Sequence, residues 1–67
     1  MKIEFIETEQ DWKNETTRYW HIVDGVEFAL ADQNGDLTLI DEEGYPYEGN
    51  YEAEKIKAAL VERVDYT

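Results

Sequence analysis

The chain of 67 residues has no cysteine, no serine, one histidine and one proline. Without cysteine, neither disulfides nor thiolate zinc sites can staple the fold, and nothing argues for an oxidising compartment. Lacking cysteine and serine, and with His21 alone as a base, it cannot assemble the usual nucleophilic triads. The glycines at 25, 35, 44 and 49 each follow polar or acidic residues and form no phosphate cradle. No apolar run approaches the roughly 20 residues of a membrane span, and the opening MKIEFIETEQ lacks the apolar centre of a signal peptide. These absences predict a cytoplasmic protein that is not an enzyme and uses no cofactor.

Cations are scarce as well. Six Lys and Arg face seventeen Asp and Glu, for a net charge of -11. Between Tyr19 and Glu54 there is no Lys or Arg at all, while that span holds Asp24, Glu27, Asp32, Asp36, Asp41, Glu42, Glu43, Glu48, Glu52 and Glu54. Such a surface repels phosphate, which excludes direct binding to nucleic acid or to anionic membrane. The chain is nevertheless not the acidic tail of a disordered protein: 42% of it is hydrophobic, with two Trp, five Tyr and two Phe available for a core. A chain of this size buries only about 60% of the surface that its unfolded form exposes, so it is one small domain, residues 1–67, without room for a deep catalytic cleft. Paired carboxylates of the glycosidase type need such a cleft to raise one pKa.

Alternation of apolar and polar residues places strands at Lys2–Glu7, Thr17–Val23, Val26–Ala31 and, after Asn34-Gly35, through DLTLIDE. TEQDWKNET between the first two reads as a polar linker. Asp24-Gly25 and Asn34-Gly35 are strong two-residue hairpin signals, because both central positions of such a turn require positive φ. The stretch DQNGDLTLIDEE superficially matches a calcium loop through Asp32, Asn34, Asp36 and Glu43. However, the sixth position, where the loop needs glycine, is Leu37, and both flanks alternate like strands. A turn is the reading, and no metal site is expected.

Two-residue turns fix a register in which His21 opposes Phe28, Tyr19 opposes Leu30, Trp20 opposes Ala29, Leu30 opposes Leu39 and Ala29 opposes Ile40. One face then collects Tyr19, His21, Val23, Val26, Phe28, Leu30, Leu37 and Leu39 as the main core. The other collects Arg18, Trp20, Ile22, Glu27, Ala29, Ala31, Thr38 and Ile40. Ala53, Ile56, Ala59, Leu60 and Val64 form an apolar stripe at helical spacing, with Asn50 as N-cap, Glu52 and Glu54 at the positive end of the dipole and Arg63 near the other. The expected fold is α+β: a four-stranded antiparallel sheet of β-meander hairpins, with one C-terminal α-helix (Tyr51–Val64) packed on one face. His21 is expected to be a partly buried structural residue.

Two surfaces stand out. Asp32, Asp36, Asp41, Glu42, Glu43 and Glu48 lie at a hairpin end and in the loop EEGYPYEGN. That loop also carries Tyr45 and Tyr47, which either cap the core or face a partner. Trp20, Ile22 and Ile40 lie on the face opposite the helix, shielded by strand one and Trp12 or left open for an adaptor contact or a homodimer seam. In size and composition, though not by a motif, the chain resembles phage-encoded DNA mimics such as anti-restriction proteins, uracil-DNA glycosylase inhibitors and some anti-CRISPR proteins. The resemblance implies an inhibitor whose carboxylates occupy the basic nucleic-acid-binding surface of a partner protein.

Overall fold

The computed structural model describes residues 1–64 and has the α+β architecture that the alternation predicts. Four strands, β1 (Ile3–Asp11), β2 (Thr16–Val23), β3 (Val26–Gln33) and β4 (Asp36–Asp41), form one antiparallel meander in the order β1-β2-β3-β4, followed by a single helix, α1 (Tyr51–Arg63). No helix among the described residues is long and apolar enough to cross a membrane.

Both predicted hairpin turns form. Asp24 and Gly25 have φ of 50° and 85°, and Asn34 and Gly35 have 53° and 90°. This is the pair of positive values that matches the twist of the flanking strands, tolerated by Asp and Asn and freely accessible to Gly. Asp32 Oδ1 accepts the Gly35 N–H at 3.0 Å, which holds the second turn shut. The register follows from these turns: Trp20 opposes Ala29, His21 opposes Phe28, Tyr19 opposes Leu30, and Leu30 opposes Leu39.

The segment read as a linker is mostly strand. β1 continues through Thr8, Glu9, Gln10 and Asp11, each paired with β2, and only residues 12–15 form the turn. Apolar alternation is missing there because this edge lies beyond the reach of the helix, and on the other face it meets only the margin of Trp20, through the Glu9 carboxylate. Trp12 does not fold over the sheet: it stands in the turn, 81% exposed. Between Phe5 and Glu7 the register shifts at a β-bulge, leaving Ile6 as the extra residue.

The helix starts where Asn50 accepts the Ala53 N–H at 2.7 Å and ends at Val64, whose N–H bonds Leu60 O. Val64 is thus a cap and not a helical residue. The helix buries Ala53, Ile56 and Leu60 against Val23, Phe28, Leu30 and Leu39, the face assigned to the core. Val26 departs from that assignment: next to the turn and past the end of the helix, it is 52% exposed. The 42–47 loop turns back along β4, with Asp41 N–H bonded to Tyr45 O and Tyr47 N–H to Leu39 O. Tyr47 thereby reaches Phe28, ring centroids 5.1 Å apart, and caps the core.

Leu60 is fully buried, so Leu60→Ala is expected to cost about 2–5 kcal/mol. Asn50→Ala, which removes only the cap, should cost about 1 kcal/mol. Urea denaturation of the two variants would measure both. A loss below 1 kcal/mol for Leu60→Ala would mean that the helix is not docked as described.

Candidate functional site

The charge is unevenly divided. In the helix, Glu52, Glu54 and Glu62 are matched by Lys55, Lys57 and Arg63, so it is neutral. Residues 1–50 hold thirteen carboxylates against Lys2, Lys13 and Arg18, which places -10 of the total -11 on the sheet and its loops. Two of those three cations are already engaged. Arg18 bridges Glu9 at 3.3 Å and Asp11 at 3.2 Å, and Lys2 lies 3.5 Å from Glu4.

On the sheet face turned away from the helix, pairing aligns Glu4 with Ile22, Glu7 with Trp20, Glu9 with Arg18 and Asp11 with Thr16. The bulge at Ile6 makes this alignment. Without the bulge, with Ile6 paired regularly, strict alternation would send Glu7 to the helix side with Phe5 and break the row. β1 therefore carries a column of four carboxylates along an open sheet edge, a placement that also discourages edge-to-edge pairing with another chain. These residues were not singled out from the sequence. The period-two spacing of Glu7, Glu9 and Asp11 is the signal that could have found them.

Of the six carboxylates expected at a hairpin end and in the following loop, five fall into two groups, and Glu48 lies apart from both, beside Leu39 and Lys57. Asp32 and Asp36 flank the Asn34-Gly35 turn, whereas Asp41, Glu42 and Glu43 lie at the opposite end of β4, five strand rises or about 17 Å away. Asp32 and Asp41 also have structural work. Asp41 Oδ1 accepts the N–H groups of Glu43 (2.9 Å) and Tyr45 (3.0 Å) and thereby shapes the returning loop. The side chains of Asp36, Glu42, Glu43 and Glu48 are exposed and make no hydrogen bond among the described residues. Tyr45 is 65% exposed beside them, while Tyr47 is turned inward.

The Trp20 face is a second, smaller core and not an open patch. Ala29, Ala31 and Ile40 are buried, and Trp20 packs across them while its Nε1–H donates to Glu9 at 3.1 Å. Ile22 stays half-buried at the margin. Two alanines on adjacent alternate positions of β3 leave the space that the indole fills.

His21 is 1% exposed and bonds Tyr19 O through Nδ1 at 2.8 Å. A carbonyl can only accept, so Nδ1 carries the proton in the neutral ring. Phe5 meets the ring edge-on, centroids 5.4 Å apart. Burial pushes the imidazole pKa below its ordinary value; the Tyr19 carbonyl opposes this, and the Arg63 guanidinium adds to it. No group of three or more His, Asp or Glu among the described residues is placed to hold a metal ion.

Because Trp20 is half-buried against Ala29, Ala31 and Ile40, Trp20→Ala should destabilise the fold by about 1–3 kcal/mol, less than loss of a fully buried aromatic. A thermal or urea melt unchanged by the substitution would restore the open-face alternative. For His21 the folded pKa lies below 6.5, the ordinary value, so the unfolded chain takes up the proton first. Stability should hold above pH 6.5 and fall as pH drops from there toward the folded pKa. His21→Leu removes this dependence. The difference between wild-type and His21→Leu melting temperatures, followed from pH 7.5 to 5, should shift against the wild type as acid is added.

Comparison of the chain with family models, with curated proteins and with solved structures finds no match in any of the three.

Proposed function

We propose that the chain is a small acidic binding protein of the inhibitor type, which occupies the basic nucleic-acid-binding surface of a partner protein. The observation that carries this reading is the charge division: a neutral helix on one side, and thirteen carboxylates against three cations over the sheet and its loops. A net charge needed only for solubility has no reason to avoid the helix. A negative field gathered on one part of the molecule attracts Lys- and Arg-lined surfaces, speeds association and competes with phosphate for the same groups. The adaptor alternative through Trp20, Ile22 and Ile40 has weaker support, because Trp20 and Ile40 are already engaged with Ala29 and Ala31.

The carboxylates to test are those without structural duties. Asp36→Asn, Glu42→Gln, Glu43→Gln and Glu48→Gln together should leave the fold intact. Each alone should change binding by about 0–1 kcal/mol, since exposed pairs are screened. The wild-type protein, used as bait in nuclease-treated lysate, should retain nucleic-acid-binding proteins that elute with moderate salt or with added duplex DNA. The quadruple variant should retain them poorly. Retention insensitive to salt, to duplex DNA and to the four substitutions would defeat the reading.

A further inference from the structure

We propose that the groove between the Asp24-Gly25 turn and the first turn of the helix is a socket for an arginine side chain of a basic partner. The proposal rests on the reading of the chain as a binder of basic surfaces and names the element recognised.

The groove has a volume of about 400 Å³, at the lower end of the range of small-molecule pockets. Its floor is formed by Phe28 and Ile56, both buried, and its walls by Val26 and Tyr47. Asp24, Asp41 and Glu52 stand around it; Met1 with its terminal ammonium also lines it, and no Lys, Arg or His does. An apolar trough with three carboxylates against one ammonium matches a ligand with a methylene stem and a cationic head.

Three features favour arginine. The carboxylates come from a hairpin turn, a strand end and a helix start, and they are too dispersed to hold a metal ion. A broad, planar head with five N–H donors can reach separated acceptors, as a point charge cannot. Tyr47, half-buried and packed on Phe28, lines the groove, and aromatic rings attract guanidinium more than they do a compact ammonium. Two of the acceptors are also held in place. Asp24 Oδ1 accepts the Lys2 N–H at 2.7 Å, and Asp41 Oδ1 accepts its two loop N–H groups, which leaves each Oδ2 without a hydrogen bond among the described residues. Acceptors already fixed lose little freedom on binding.

The test titrates the whole chain, with methyl-labelled Val and Ile, with three blocked pentapeptides: Gly-Gly-Arg-Gly-Gly and its lysine and citrulline counterparts. The arginine peptide should shift Val26 and Ile56 methyl signals saturably, with lysine several-fold weaker and neutral citrulline silent. Val26→Lys plants a cation in the groove and should weaken arginine binding about tenfold or more. Glu43→Gln, which makes the same change in net charge elsewhere, should not. Glu52→Gln, at an exposed helix position, serves if Val26→Lys does not fold, and should weaken arginine binding several-fold. Equal binding of the arginine and lysine peptides, with shifts scattered over the exposed carboxylates, would overturn the socket while leaving the acidic surface as the partner site. Absence of peptide binding would also overturn the socket. Only loss of the salt-sensitive lysate partners would count against the wider reading.

Discussion

A single helix cannot cover a four-stranded sheet. With side chains it is about 10 Å across, and strands lie about 4.8 Å apart, so one helix shields about two strands. α1 lies on β3 and β4, and most of the remaining structure follows from the area it leaves uncovered. On the helix side, Phe5 stands against His21 and stays 57% exposed, and a groove of about 510 Å³ remains beside Tyr19, His21 and Arg63. On the far side the described residues include no helix, and Trp20 lies across Ala29 and Ala31 in its place.

The same shortage explains how the edges are finished. β4 is covered by its own outgoing loop, which returns to bond Leu39 and Asp41. β1 has no such cover. Its exposed flank is protected by the bulge at Ile6 and by Glu4, Glu7, Glu9 and Asp11, which make pairing with a second sheet costly. Glu9 also joins the two economies of this face. It takes the Trp20 indole N–H and the Arg18 guanidinium on one carboxylate oxygen, so the acidic column and the small second core share an anchor.

A net charge of -11 on 67 residues opposes compaction through self-repulsion. The chain does not relieve it by spreading its cations: three stay on the helix with equal numbers of acids, and Arg18 is consumed locally. The negative field over the sheet therefore stays strong. Where that field meets apolar surface at the end of the sheet, between the Asp24-Gly25 turn and the helix, charge and shape coincide.

Local chemistry decided much of this protein before any tertiary contact. Asp24-Gly25 and Asn34-Gly35 dictate tight turns. Those turns set a register, and the register assigns Leu30, Phe28 and Leu39 to one face, because each rule involves only neighbours in the chain. Asn50 and the stripe Ala53, Ile56 and Leu60 specify the helix in the same way. β1 beyond Glu7 has no apolar periodicity, since that pattern reports burial and an edge past the helix has little to report; only the alternate carboxylates Glu7, Glu9 and Asp11 mark it. Nor could sequence decide that Ile6 bulges, that Trp20 closes over two alanines, or that Asp41, Asp24 and Glu52, from distant parts of the chain, line one groove. Those outcomes depend on which surfaces one helix leaves bare, and only the assembled sheet determines that.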